Sequence, residues 1–204
     1  MVLAAVALDQ ATAEMLVGAG IKDSKAFGSG VAARRARSRL AALVQRLAAW
    51  SAVEVCDVAE IDAFVARGGL NQLERERARS LIRRGPISAR VVADGRTLFG
   101  PLRAEFPQLE AMDRAEDAHP AMAAASICAK ALRDELFAAI AARYQAEFGV
   151  LRGGGYVNPA TCAFVAEHVK RYGRLPVEAR KSWPWRGIVL PETEDFALPS
   201  APVR

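Results

Sequence analysis

The sequence predicts an α/β domain, because short apolar strands alternate with longer amphipathic helices along the chain. The first apolar run, VLAAVAL at residues 2–8, is continuous, which is typical of a strand that is covered on both faces. Residues 31–50 instead carry apolar side chains at helical spacing. A further apolar run ends at Asp94. With 204 residues the chain is long enough to bury one core made of these elements.

The helix predicted over residues 31–50 has an apolar stripe and a basic face. Its apolar positions are Leu40, Leu43, Val44, Leu47 and Trp50. Its opposite face is predicted to carry Arg34, Arg35, Arg37, Arg39 and Arg46. A short strand follows, since Val53 and Val55 alternate with Glu54, and LNQLERERARSLIRR at residues 70–84 predicts a charged helix.

A long helix is predicted from Pro120 to Glu147. Its predicted buried stripe is Met122, Ala125, Ala129, Leu132, Leu136 and Ile140. Ser126, Lys130 and Asp134 share another facet of the same helix, beside several alanines. A last helix is predicted to begin after Asn158 as N-cap and to end at Gly173.

Composition predicts a cytoplasmic protein and weakly favours a polyanionic partner. The net charge is +5 and the isoelectric point is about 9.4. Cys56, Cys128 and Cys162 form no CxxC pair, so a reducing compartment is expected. No apolar run approaches the roughly 18 residues of a membrane span, and no signal peptide is expected. Residues 188–204 are Pro-rich without periodicity and are expected to form a flexible tail.

Two aspartates are candidate metal ligands. Asp94 ends a predicted strand, where open α/β sheets place ligand-binding groups, although Asp-Gly is also a common turn. Asp134 lies on the long helix, where the alternative is a solvated pair with Lys130. If both carboxylates converge, their hard oxygen donors suit Mg²⁺ or Mn²⁺, but two are too few to hold a pair of ions firmly.

Polar and aromatic residues elsewhere are candidate nucleic-acid contacts. Ser24 and Lys25 lie in the loop IKDSK, and Arg180 and Lys181 lie in EARKSWPWRG, where basic and aromatic residues alternate. Tyr156 follows three glycines, so its ring could be presented to a ligand. The alternatives are solvated loop charge, core tryptophans and a tyrosine that only packs. The chain has no G-x-S-x-G elbow, and no GK[ST] follows its glycine run.

Taken in order, these segments resemble the ribonuclease HII family, particularly its archaeal-type branch. IKDSKAF is similar to the DSKKL loop, with Ala26 in place of the second lysine, and VVADG to the strand that bears the third acid. DAHPAMAAASICAKALRDE resembles the AASIxAKxxRD helix, and the run from GGGYVNP to RKSW resembles the family's G-x-GYxxD/NP and RK[ST]W motifs. GGLNQLERE is similar to an LNxLE segment.

The resemblance implies an RNase H-like fold, with a mixed sheet flanked by helices and a C-terminal helical portion at about residues 142–187. It implies endonucleolytic cleavage of RNA paired with DNA, or of ribonucleotides embedded in duplex DNA. The implied chemistry is two-metal hydrolysis with Mn²⁺ or Mg²⁺ that leaves 5′-phosphate and 3′-OH ends. A monomer that acts in DNA replication and repair is expected.

The resemblance also assigns residues. Asp94 and Asp134 would be the third and fourth metal carboxylates. Tyr156 would stack at the RNA–DNA junction and sense the 2′-OH. Ser24, Lys25, Arg180 and Lys181 would contact phosphates.

One family segment has no counterpart here: the first central strand, D-E-x-G-R-G, which supplies two metal carboxylates. The nuclease domain expected at residues 1–187 is therefore incomplete at its N-terminus. Three accounts follow from this: a truncated record of a normal enzyme, a non-catalytic relative that binds RNA–DNA hybrids, or a nuclease that completes its site with other acids, such as Glu116 or Asp117.

Overall fold

The computed structural model describes residues 1–21, 27–28, 30–185 and 187–188, and confirms the mixed α/β class. The elements in chain order are β1 (Val2–Ala7), α1 (Gln10–Gly18), α2 (Val31–Leu47), β2 (Trp50–Val55), α3 (Val58–Ala66), α4 (Leu70–Arg84), β3 (Val91–Asp94), α5 (Arg96–Phe99), a 3-10 helix (Gly100–Ala104), β4 (Leu109–Met112), a 3-10 turn (Ala115–Asp117), α6 (Pro120–Phe148) and α7 (Pro159–Tyr172). The predicted tail lies outside the described residues, except for Ile188.

The four strands form two separate pairs. β1 runs antiparallel to β2, with Val2 opposite Val55 and Ala7 opposite Trp50. β3 runs parallel to β4, with Asp94 opposite Met112. Within the described ranges, no strand ladder joins one pair to the other. All six residues of β1 remain partly exposed although the strand is apolar, so its second edge is incompletely covered.

Helix α4 spans both strand pairs on one face. Near its start, Leu73 is fully buried against Cys56 and Ile61. Further along, Ala78 and Ile82 pack on the cluster around Leu102, Phe106 and Leu109, which also holds Val91 and Ala93 of β3. Side chains of α4 therefore connect the two halves of the sheet.

Helices α2 and α6 cover the other face of β1. Ala4 and Val6 of β1 pack on a core that includes Val44 of α2 and Ile127 of α6. Because side chains alternate along a strand, Ala4 and Val6 lie on one face of β1, and Leu3 and Ala5 lie on the other. The main core therefore lies between β1 and these two helices.

Strand β2 is confirmed, but its apolar side chains face outwards. Val53 and Val55 are exposed, and Glu54 lies on the side of α4. Its carboxylate accepts hydrogen bonds from Ser80 Oγ at 2.9 Å and from Arg84 Nη2 at 2.7 Å. Glu54 therefore faces α4, on the same side of β2 as Trp50 and Ala52.

Helix α6 is confirmed, but its buried stripe differs from the predicted one. The buried residues are Ala123, Ala124, Ala125, Ile127, Cys128 and Ala131. Of the predicted stripe only Ala125 is buried, and Leu136 is exposed. The reason is tertiary: α6 contacts both β1 and α2, and its small side chains allow both to approach closely.

Helix α7 confirms its predicted ends. Asn158 Oδ1 accepts a hydrogen bond from the N–H group of Thr161, and Gly173 ends the helix in the left-handed conformation with φ of 67°. In the part of the chain that the structure describes, we find no helix that combines the length and apolarity needed to cross a membrane.

We predict that Ile127→Ala lowers the free energy of unfolding by about 2–5 kcal/mol, because it leaves a cavity in the main core. Leu136→Ala, on the exposed side of the same helix, is the matched control and should cost less than about 1 kcal/mol. Urea unfolding measures both. Equal losses would show that Ile127 is not in the core that joins α6 to β1.

Candidate functional site

Asp94 lies at the carboxyl end of β3, as predicted. Val91 and Ala93 face the α4 side, so alternation turns Asp94 to the opposite face of the strand. Its Oδ1 accepts a hydrogen bond from the N–H group of Ala115 at 3.1 Å. Gly95 then turns the chain with φ of 117°, a conformation that favours glycine.

The 3-10 turn Ala115–Asp117, which contacts Asp94 through this hydrogen bond, contains two further acids. Ala115 is completely buried, which fixes the turn against β3. Asp117 accepts a hydrogen bond from Arg114 Nε at 2.9 Å, in an exposed ion pair. Glu116 follows Ala115 directly in the same turn.

Asp134 forms a buried ion pair with Arg37 instead of meeting Asp94. Arg37 donates to Asp134 Oδ2 from Nε at 3.0 Å and from Nη2 at 2.5 Å. Its Nη1 donates to the carbonyl of Gly28 at 2.8 Å. Arg37 was expected on the exposed basic face of the helix, but it is only 2% exposed, because its fork satisfies both a carboxylate and a backbone carbonyl.

The helical geometry keeps the two predicted metal ligands apart. His119 donates its N–H to the carbonyl of Ala115 at 2.9 Å, so the acid group lies beside the start of α6. A rise of about 1.5 Å per residue then places Asp134 about 22 Å from His119. Two ligands of one ion lie within about 5 Å of each other. The structure therefore does not bring Asp94 and Asp134 to a common ion.

Tyr156 is half-exposed on a glycine loop and is held by Arg133 of α6. The guanidinium carbon of Arg133 lies 3.8 Å from the centroid of the tyrosine ring. The same side chain donates from Nη2 to the carbonyl of Gly154 at 2.5 Å. At Gly153, with φ of 95°, a Cβ would lie 2.4 Å from Thr161 Oγ1, so only glycine fits.

A cavity of about 270 Å³ opens beside Tyr156. Its lining includes Arg133, Phe137, Tyr156, Arg180, Trp183 and Trp185. Arg180 stacks on Trp183, with 4.8 Å from its guanidinium carbon to the ring centroid, and its buried Nε has no hydrogen-bond partner in the described chain. Burial lowers the pKa of Arg180. Two of the predicted nucleic-acid contacts, Tyr156 and Arg180, are thus brought together.

Asp62 of α3 holds the loop that carries Arg180. Its carboxylate accepts hydrogen bonds from the N–H groups of Lys181 and Ser182 and from Ser182 Oγ. Burial opposes the charged form of Asp62, but these hydrogen bonds outweigh it and lower the pKa of the carboxyl group. Lys181 is exposed and does not line the cavity.

Ser24 and Lys25 lie outside the described residues. In the described ranges, no three His, Cys, Asp or Glu side chains are grouped so that they could hold a metal ion. Burial raises the pKa of Cys128 to about 11, which argues against a reactive thiol. His168 is buried in an aromatic cluster with Phe148 and Phe164.

The sequence did not predict the residues that position other side chains and loops of the site. Arg133, Arg37 and Asp62 each contact groups far away in the chain, and no local pattern distinguishes them from surface charges. The only available signal was the position of Arg133 directly before Asp134 on a helix with small residues.

Comparison with known proteins identifies the family of this chain. A family model described as Ribonuclease HII matches residues 1–185. The ribonuclease HII of Caldivirga maquilingensis is 30% identical over 188 residues, which are 90% of this chain and 84% of that protein. That of Methanoregula boonei is 29% identical over 98% of this chain and 92% of its own length.

Solved structures show the same fold. The ribonuclease H2 of Pyrococcus horikoshii has a TM-score of 0.70 at 20% identity, covering 91% of this chain and 95% of the other. The chain from the PCNA:RNase HII complex of Archaeoglobus fulgidus has a TM-score of 0.71 at 24% identity, covering 89% and 85%. The present chain therefore belongs to the ribonuclease HII family, and it is classed among the ribonuclease H enzymes.

We predict that Arg37→Leu lowers the free energy of unfolding by about 3–5 kcal/mol, because it leaves the carboxylate of Asp134 without its buried partner. The double variant Arg37→Leu, Asp134→Leu should recover part of that loss. Arg79→Leu, which breaks a more exposed pair with Glu105, is the control with a much smaller loss. Urea unfolding of all variants tests this, and equal losses for Arg37 and Arg79 would contradict it.

The lowered pKa of Asp62 predicts an acid-sensitive loop. The carboxylate stabilises the fold fully above its unfolded pKa of about 3.9, and this contribution is lost as the pH falls through the lower folded value. The fluorescence of Trp183 and Trp185 should therefore change only below about pH 4. Asp62→Asn should produce the change at neutral pH.

Asp57→Asn is the control for this titration, since Asp57 caps α3 but does not contact the loop. If Asp62→Asn leaves the tryptophan emission at neutral pH unaltered, Asp62 does not hold the loop.

Proposed function

We propose that this protein cleaves the RNA strand of RNA–DNA hybrids, or ribonucleotides embedded in duplex DNA, and leaves 5′-phosphate and 3′-OH ends. Family membership supports ribonuclease H activity in general. The observation that carries the finer proposal is the half-exposed ring of Tyr156, held by Arg133 at the mouth of a cavity with aromatic and basic side chains.

Tyr156 is proposed to stack on the ribonucleotide and to distinguish RNA from DNA through the 2′-OH group. Its exposure leaves a ring face for stacking, and Arg133 restricts the ring to one orientation. Arg180 offers a charge at the same cavity for a neighbouring phosphate. Lys181, Ser24 and Lys25 remain proposed phosphate contacts on the resemblance alone.

Asp94 and Glu116 are proposed as the acids that contribute to a divalent-ion site, in place of the pair Asp94 and Asp134. The chemistry fits Mg²⁺ or Mn²⁺, since such ions are often held by one or two carboxylates together with substrate phosphates and water. When bound, the ion polarises the scissile phosphate as a Lewis acid. The described residues offer no further acid group for the second ion that the resemblance implies.

Residues of this chain have separate roles in orienting the acid group and in positioning helix α6. Asp94 is oriented by the N–H group of Ala115, which leaves its second oxygen to a ligand. The Arg37–Asp134 pair fixes α6 to α2 and thereby the helix that carries Arg133. The alternative function is non-catalytic binding of RNA–DNA hybrids. It is favoured only by the lack, among the described residues, of a group of three or more side chains that could hold a metal ion.

A cleavage assay separates these functions. The substrate is duplex DNA with one ribonucleotide, and the control is the same duplex without it, each with Mg²⁺ or Mn²⁺. We expect cleavage of the first duplex only. Asp94→Asn and Glu116→Gln should each lower turnover about 100-fold or more without changing the affinity for duplex. Binding without any cleavage by the wild-type chain would favour the non-catalytic function.

Asp134→Asn tests the division of roles. We expect it to lower stability, with activity lost only in proportion to the folded fraction. A large loss of turnover in a fully folded Asp134→Asn protein would restore its predicted role at the metal.

Tyr156→Ala should weaken the use of the ribonucleotide substrate by about 5- to 150-fold in kcat/KM, the range expected for the loss of one stacking contact. Tyr172→Ala is the matched control, because Tyr172 is similarly exposed but lies at the end of α7. Equal effects of the two variants would contradict the role of Tyr156.

A further inference from the structure

Two arginine-rich helices of this protein differ in how their charges are neutralised. On α4, arginines pair with acids of other elements: Arg77 with Glu60, Arg79 and Arg83 with Glu105, and Arg84 with Glu54. On α2, the arginines are Arg34, Arg35, Arg37, Arg39 and Arg46, and the helix contains no Asp or Glu. Only Arg37 has a carboxylate partner among the described residues.

Three of the arginines that lack a carboxylate partner within the described residues form one line on the solvent side of α2. At 3.6 residues per turn, Arg35, Arg39 and Arg46 lie within about 40° of one another around the helix axis. All three are exposed, and the buried side of the helix, with Leu40 and Val44, faces the opposite direction. We call Arg35, Arg39 and Arg46 the α2 arginine stripe.

We propose that the α2 arginine stripe is a second contact surface for the phosphate backbone of duplex nucleic acid, separate from the Tyr156 cavity. The stripe is about 16 Å long, and a duplex presents roughly ten phosphate charges over that length of its axis. Arginine binds phosphate oxygens in a bidentate manner, and these side chains form no ion pair with the described residues that binding would have to break.

Charge complementarity selects this occupant. A helix face without any acid repels cations and attracts a continuous polyanion, whereas the paired arginines of α4 are already compensated. The inference rests on the proposed function only in taking duplex nucleic acid as the ligand.

The test compares two triple variants with the same loss of charge. Arg35→Gln, Arg39→Gln and Arg46→Gln together remove the stripe. Arg79→Gln, Arg83→Gln and Arg90→Gln together remove three arginines that are paired with Glu105 and Glu110. Glutamine has nearly the helix propensity of arginine, so both proteins should fold, and thermal unfolding verifies this.

The readout is the fluorescence anisotropy of a 20-base-pair DNA duplex that contains no ribonucleotide, titrated between 50 and 200 mM salt. Each phosphate contact contributes about 0.9 to the slope of log K against log salt. We expect the stripe variant to lose about two to three units of slope and the paired-arginine variant to keep the wild-type slope. Equal slopes in the two variants would overturn the proposal.

Because this duplex cannot be cleaved at a ribonucleotide, the result does not depend on catalysis. In the cleavage assay the stripe variant should raise KM and leave kcat unchanged. Failure of the wild-type chain to cleave would affect the proposed function alone, and a stripe variant with wild-type binding would affect this inference alone.

Discussion

The ion pair between Arg37 and Asp134 is the polar interaction on which the packing of the two main helices depends. It joins α2 to α6 across the main core, and the same guanidinium fixes the carbonyl of Gly28. A buried arginine is tolerated only with its hydrogen bonds satisfied, so the relative position of the two helices has little freedom. The alanines of α6 have the complementary role, since they let α2 and β1 approach the helix closely enough for this pairing.

The position of α6 in turn organises both parts of the site. Its start follows directly on the turn that contacts Asp94, and its Arg133 holds Tyr156. One rigid helix therefore sets the separation between the acidic end and the aromatic cavity. Asp62 adds a second connection, from α3 to the loop of Arg180 and Trp183, so that the cavity is assembled by three separate parts of the chain.

Sequence reasoning predicted the secondary structure better than the partners of the side chains. The apolar run of β1, the capping residues of α7 and the family motifs were sufficient for the fold and the enzyme class. Two features were not predictable: which face of α6 is buried, and that the side chain of Glu54 faces α4. Both depend on which neighbours pack against α6 and β2. The same limit explains Asp134: its position on a facet with Ser126 and Lys130 was predicted, but its partner lies 97 positions away in the sequence.

The division of the sheet has a consequence for how the molecule opens locally. In the described residues, the β1–β2 and β3–β4 pairs share no backbone hydrogen bonds, and only helix side chains connect them. The β3–β4 pair has four residues in each strand, so its amide protons can exchange with solvent without breaking any ladder of the longer pair. Asp94 is the last residue of the shorter ladder, so a local opening of the β3–β4 pair would also release the backbone that positions its carboxylate.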